Sequence, residues 1–289
     1  MTTVDYPSGV DTTFGYDNSS RQTSMVDSTG TTTWSYNAAD ELTSLAQPQG
    51  TTTYTYNLAG QKASMTEVGL GTTNYTYFAN GRLWYFIDRH GDQTVFLYDS
   101  LGRNHIRVNP NGTSDQMQFD NRDRLTAIDL YNSGGSFLRR QSYTYDAASQ
   151  MLTHTTDGVT TTYTYDPVGQ LLSETRPGYT GSYTYDGNGN RLTRSINGVV
   201  ENYSYDSGDK LQSVSVGGTP IKTYGYDAAG RTTSVTSSAG TTTLTYDFES
   251  RITQISGPGI NATYSYNGLD TRVGKTENSA SNTFRQELG

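Results

Sequence analysis

The chain has 289 residues with 20 basic and 28 acidic side chains, a net charge of −8, no cysteine and three histidines. Disulfides and thiolate metal sites are excluded, no apolar run reaches the roughly 18 residues of a membrane helix, and the acidity argues against a nucleic-acid partner, whose backbone is bound by clustered Lys and Arg. Leu, Ile, Val and Phe together reach only about 17% of the chain, but 24 Tyr and 47 Thr supply strand formers and an aromatic core in their place.

An aromatic-x-aromatic pair followed by Asp or Asn recurs along the whole chain. Its second ring, the anchor, is Tyr16, Tyr36, Tyr56, Tyr77, Tyr98, Phe119, Tyr145, Tyr165, Tyr185, Tyr205, Tyr226, Tyr246 and Tyr266. Successive anchors lie 20 or 21 residues apart, except for one interval of 26 between Phe119 and Tyr145. Two positions before each anchor stands another large residue, such as Trp34, Tyr54, Met117 or Leu244. A spacing of two puts both rings on one face of a strand and turns the Thr or Ser between them to the other.

Each anchor therefore closes a strand. The Asx residue after it caps a turn, and the Gly, Asp or Ser four positions beyond the anchor supplies a positive φ, as at Gly60, Gly102 and Gly189. A second strand follows, marked nine positions past the anchor by Met25, Leu45, Met65, Phe86, Ile128, Val214, Val235 and Ile255. Short polar turns such as Asp27-Ser28-Thr29-Gly30 return the chain to the next Thr-rich strand. One unit is one β-hairpin, and residues 1–289 read as a single array of about 13 units.

The long interval carries Tyr131-Asn132-Ser133-Gly134-Gly135-Ser136, read as an elongated hairpin loop. Residues 1–11 read as the back half of a preceding unit, and Phe284–Gly289 as a degenerate further anchor. The fold class expected is all-β: a spiralling ribbon of consecutive hairpins, an open β-solenoid or partial shell. Buried phenols need partners, and the accompanying Asp, Asn and Thr side chains are the expected ones. Open sheet edges at the two ends predict self-association by strand addition.

The aromatic-x-Tyr-Asp-x-x-Gly-Arg-Leu pattern resembles the YD or Rhs repeats of bacterial Rhs proteins, the C components of insecticidal toxin complexes and the teneurins. Phe96-Leu-Tyr-Asp-Ser-Leu-Gly-Arg103 and Tyr183-Thr-Tyr-Asp-Gly-Asn-Gly-Asn-Arg-Leu192 match it closely. The resemblance implies a β-hairpin ribbon that, when long, encloses a toxin polypeptide, an extracellular or cell-surface location, and repeats for which glycan binding has been proposed. No Asp-Pro self-cleavage junction, effector domain or delivery domain is recognised here, and a ribbon of this length goes round a compact cargo about once.

Residues shared by every unit are read as structural, and the chain as a non-enzyme without cofactor or metal. His90, His105 and His154 fall in different units with no common spacing. Asp186-Gly187-Asn188-Gly189-Asn190 has Arg191 where a calcium loop needs Gly, so it reads as a turn. The stripe of Arg21, Arg82, Arg103, Arg124, Arg231 and Arg251 is expected to pair with the repeat Asp of a neighbouring hairpin. Trp84, Phe86 and Tyr131 are the candidate glycan platform, against core packing as the plainer role. The leading function is a structural scaffold or shell segment related to toxin containers. The alternative is a carbohydrate or cell-surface binding module.

Overall fold

The computed structural model describes residues 2–5 and 11–284, and all its regular structure is β. The strands divide between two compact units, residues 1–92 with 225–289, and residues 93–224. The first unit holds β1 (Thr2–Val4), β2 (Thr12–Tyr16), β3 (Gln22–Asp27), β4 (Gly30–Tyr36), β5 (Leu42–Gln47), β6 (Gly50–Tyr56), β7 (Lys62–Glu67), β8 (Gly71–Tyr77) and β9 (Leu83–Ile87). The second holds β10 (Gln93–Tyr98), β11 (Asn104–Val108), β12 (Ser114–Phe119), β13 (Leu125–Tyr131), β14 (Phe137–Tyr145), β15 (Met151–Thr156), β16 (Val159–Tyr165), β17 (Leu171–Arg176), β18 (Tyr179–Tyr185), β19 (Arg191–Ile196), β20 (Val199–Tyr205) and β21 (Leu211–Val216), with β22 (Thr219–Tyr226) at its boundary. The first unit resumes with β23 (Thr232–Ser237), β24 (Gly240–Tyr246), β25 (Ile252–Gly257), β26 (Ile260–Tyr266), β27 (Arg272–Glu277) and β28 (Ala280–Thr283). Within each unit consecutive strands pair antiparallel. The repeat runs unchanged through both units, where the sequence alone reads one array.

Every unit uses the same loop after its anchor. In the first, Asp17 Oδ1 accepts from the backbone N–H groups of Ser19 and Arg21, and Ser20, four past the anchor, has φ 62°. Asn37, Asp99, Asp166 and Asp227 repeat the same two bonds. The Asx side chain satisfies donors that the sharp turn leaves unpaired, and the left-handed residue lets the chain re-enter the next strand. Asp186 does likewise with Asn188 and Asn190, so the calcium-like segment is such a turn.

Each loop shifts the strand register at the anchor: Tyr36 faces Leu42 and Tyr185 faces Arg191, each across a bulge. The bulge frees the carbonyl six residues past the anchor, and the anchor phenol of the next unit takes it. Tyr36 donates to Gln22 O, Tyr56 to Leu42 O, Tyr165 to Met151 O, Tyr185 to Leu171 O and Tyr266 to Ile252 O. Backbone carbonyls, and not the expected Asp, Asn and Thr side chains, are thus the partners of these phenols. The opposite face carries paired hydroxyls, such as Thr144 with Thr153 and Thr184 with Thr193.

Two further expectations are corrected. The long interval holds no elongated loop: Asn132–Ser136 makes the ordinary Asx turn, and the extra residues extend β13 to 7 and β14 to 9 residues. Arg21, Arg103, Arg124, Arg231 and Arg251 bind the Asp of their own loop as well as reaching forward, whereas the loop of Arg82 has Phe78 in place of that Asp. Arg103 Nε donates to Asp99 Oδ2 at 2.7 Å, and its Nη1 donates to Asp123 Oδ1 at 2.6 Å while the guanidinium lies over the Phe119 ring. Arg124, Arg231 and Arg251 clip their successive loops in the same way. A planar fork with several donors can hold two loops and a ring at once, which a carboxylate pair alone would not do.

In the first unit the two chain segments meet. Gly268 N–H donates to Asp27 Oδ2 at 2.7 Å, although 241 residues separate them. A Cβ at Gly268 would lie 2.5 Å from Thr12 Cγ2 and 3.1 Å from Met25 Sδ, so the approach requires glycine. A cleft of about 320 Å³, lined in part by Asp27, Asp247, Arg251, Tyr264 and Asn267, opens beside this seam. Residues 2–4 pair with β2 as a preceding half-unit should. Most of the degenerate last anchor, at 285–289, lies outside the described residues.

Candidate functional site on the tyrosine face

The face that carries the anchors changes character along the chain. In β3–β6, Met25, Trp34, Leu45 and Tyr54 form a closed core, with Phe14, Tyr36, Tyr56 and Met65 packed against it. In β14–β20 the same positions are only half-buried, and the residue nine past the anchor becomes His154, Glu174 and Arg194 in three successive units, before Val214 on β21 is buried again. These face Tyr143, Tyr163 and Tyr183 across the strands. The sequence reading marks apolar residues at that position and passes over these three, although the break in the repeat was itself the signal.

The rings here are held upright by neighbours on the same face. Tyr143 donates to Gln141 Oε1 at 2.9 Å, and its ring stacks on His154 with centroids 4.9 Å apart and planes 6° apart. His154 Nε2 lies 2.9 Å from Thr156 Oγ1. Tyr203 donates to Glu201 Oε2 at 2.5 Å, and Arg194 Nη1 donates to the same carboxylate. Gly181 takes the place that Thr161 and Glu201 occupy in adjacent units, and the rings of Tyr179 and Tyr183 close over it.

Charge is arranged among these rings. Arg176 lies 3.9 Å from the centroid of Tyr179 and is paired to Glu174, while Arg191 lies 4.4 Å from that of Tyr203. The Tyr203 hydroxyl, and then Arg194, hold the Glu201 carboxyl below its ordinary range. Burial, and then the bond to Glu201, push the Tyr203 phenol up. Burial also raises Tyr163. At neutral pH the face therefore presents neutral phenols, fixed carboxylates and guanidiniums. Such a surface stacks and hydrogen-bonds a ligand without needing to reorganise.

The predicted glycan platform is distributed differently. Trp84, on β9 and 41% exposed, stacks on Phe78 with centroids 5.4 Å apart and meets the edge of Tyr85. Phe86 packs on Tyr75, its register partner. Tyr131 ends β13 and touches the edge of Phe137. Each of the three packs on its own neighbour. His90 lies beside Arg89, and His105 Nδ1 lies 2.7 Å from the Met117 carbonyl, so neither approaches the arrangement of a triad with His154. Among the described residues no group of three or more His, Cys, Asp or Glu side chains is placed to hold a metal ion.

Three segments, residues 36–73, 165–200 and 226–259, match the RHS Repeat family. The structure is similar to the crystal structure of TcdB2-TccC3-Cdc42, at a TM-score of 0.69 and 18% identity, over 95% of this chain and 20% of that one. It is also similar to that of TcdB2-TccC3, at 0.67 and 18%, over 93% and 20%. At this identity the likeness is one of fold, and the chain spans about a fifth of the length of those chains. No curated protein matches the sequence significantly.

Proposed function

We propose that this chain, three segments of which match the RHS Repeat family, is a structural segment of a scaffold or shell whose tyrosine face holds a toxin polypeptide outside the producing cell. The observation that carries this reading is where the repeated side chains are used. Anchor phenols bind the carbonyl of the preceding unit and loop arginines bind the following loop, as Tyr185 does to Leu171 and Arg251 to Asp270. Residues spent on joining one hairpin to the next build a stiff ribbon, and they leave the half-buried face of β14–β20 as the surface available to a partner. The role is mechanical and needs no catalytic group.

The test is the coding context together with protection. Flanking sequence is expected to encode further repeats and a toxin segment, and that segment should resist protease when it is produced with the repeats and digest rapidly without them. A reading frame confined to this chain, or equal digestion in both states, would remove the proposal. Specific glycan binding lost in Trp84→Ala would replace it with the adhesion reading.

A further inference from the structure

We infer that the two ends of β7 form a head-to-tail contact between copies of this chain: the loop at Leu58 before β7 in one copy seats on the turn at Val68 and Leu70 after β7 in another. Within the chain, the seam is already one contact of this kind. The loop before β27 uses the backbone N–H groups of Asn267, Leu269, Asp270 and Thr271 for its own bonds, and the remaining one, on Gly268, donates to Asp27 at the turn after β3. Gly268 stands two residues past its anchor, and Asp27 stands eleven past its own. The loop before β7 likewise uses the N–H groups of Asn57, Ala59, Gly60 and Gln61. That leaves the N–H of Leu58, two past its anchor, while Glu67 supplies a carboxylate eleven past the same anchor.

The ends of β7 also carry apolar tips. Leu58 is fully exposed, and Val68 and Leu70 are each 55% exposed, whereas the loop before β3 presents Asn18 and Ser19 and the turn after it presents Ser28 and Thr29. Aliphatic tips at opposite edges of a sheet leave water when one edge meets another. Charge selects the same loop. Most anchors are followed by Asp, but Asn267 at the seam and Asn57 before β7 are amides, a substitution shared only with Asn37. A carboxylate there would repel the incoming Asp27 or Glu67, and an amide does not. Side-chain length matches too. A Cβ at Gly268 would collide with Thr12 and Met25 across the seam, so a loop with Leu58 in that place stands farther off, and Glu67, one methylene longer than Asp27, reaches across the wider gap. Glu67 is paired to Arg89, and a carboxylate has lone pairs for a further donor. One copy cannot close this contact on itself, because Leu58 and Val68 lie at opposite ends of a 6-residue strand, about 20 Å apart. The contact involves neither face of the sheet and is independent of what the tyrosine face holds.

The experiment is sedimentation velocity on the full chain across a dilution series. Concentration-dependent species larger than a dimer are expected, because a loop-to-turn contact leaves a fresh loop and a fresh turn after every addition. Leu58→Asp, and Val68→Asp combined with Leu70→Asp, should each weaken association about tenfold or more by placing a charge in the contact. Asn57→Asp restores the residue most repeats use, so it should fold normally and still weaken association. Mixing the Leu58 variant with the Val68 and Leu70 variant should give dimers that grow no further, since each brings the end the other lacks. Circular dichroism checks the fold of every variant. A wild-type chain that is monomeric at all concentrations overturns the inference, as does association that survives the changes at Leu58 and Val68, or a mixture that fails to dimerise. Association lost instead in Ser281→Pro, which removes a backbone donor from β28, overturns it in favour of strand addition.

Discussion

The two stretches of tyrosine face, in β3–β6 and in β14–β20, share loops, anchors and phenol-to-carbonyl bonds, yet one is a closed core and the other a polar surface. The difference sits at one position per unit. Met25 and Leu45 are fully buried nine residues past their anchors, where His154, Glu174 and Arg194 stand half-buried and paired. Neighbouring rings follow suit: Trp34 and Tyr54 are 7% and 4% exposed, while Tyr143 and Tyr203 bend their hydroxyls to Gln141 and Glu201. The hairpin scaffold thus sets where side chains stand, and a single repeat position sets whether the face closes or stays accessible. The same separation lets a repeat array vary its surface without disturbing its ladder.

The largest effect expected from this comparison is at the closed end. Leu45→Ala should cost about 2–5 kcal/mol by opening a cavity in the buried cluster, whereas Glu174→Ala, at the equivalent position of the open stretch, should barely move the urea midpoint. Equal losses would show that the two faces are packed alike. Next comes the seam. Gly268→Val forces a side chain against Thr12 and Met25 and should cost about 1–3 kcal/mol. Asp27→Ala leaves the Gly268 N–H without its acceptor and should cost a similar ~1–3 kcal/mol. Hydrogen exchange should then rise in residues 11–27 and 260–274, with β14–β21 unaffected.

Smaller and shared by both stretches is the anchor bond. Tyr56→Phe and Tyr185→Phe each leave one carbonyl unpaired and should cost about 0.5–1.5 kcal/mol apiece. Unequal costs would mean that the ladder, and not only the face, differs between the two stretches.

The smallest effect per group concerns acid. Backbone N–H bonds from Lys210 hold Asp206 below its ordinary range, and those from Arg231 hold Asp227; the Arg124 side chain does the same for Asp120. A depressed folded pKa adds stability that is complete above the unfolded value near ~3.9 and is lost as pH falls through the folded one. Thermal midpoints should therefore be level above about pH 5 and fall below about pH 4, with Asp227→Asn flattening the fall. A decline beginning near neutral pH would point to histidine instead.

Much of this was readable from one sequence because the repeat reports local chemistry thirteen times over. The ring pair around Tyr56, the Asx turn at Asp99 and the positive φ at Gly102 each depend on residues within one hairpin, so spacing suffices to find them. The carbonyl partner of each phenol was not readable, because it is freed by a bulge that exists only once two strands pair. The role of Arg103 was half-readable: its own Asp99 lies four residues away, but Asp123 becomes a neighbour only through the turn of the following hairpin.

By itself the sequence determined the hairpin unit, its phase and its loop chemistry, since those follow from alternation along a strand and from turn residues a few positions apart. Only the tertiary structure decided which length of the tyrosine face is closed, that Asp27 meets Gly268, and that the long interval lengthens strands instead of a loop. The physical reason is range. Burial and the seam depend on elements far apart in sequence coming together, and a pattern with a period of 20 residues looks the same locally whether or not another hairpin packs over it.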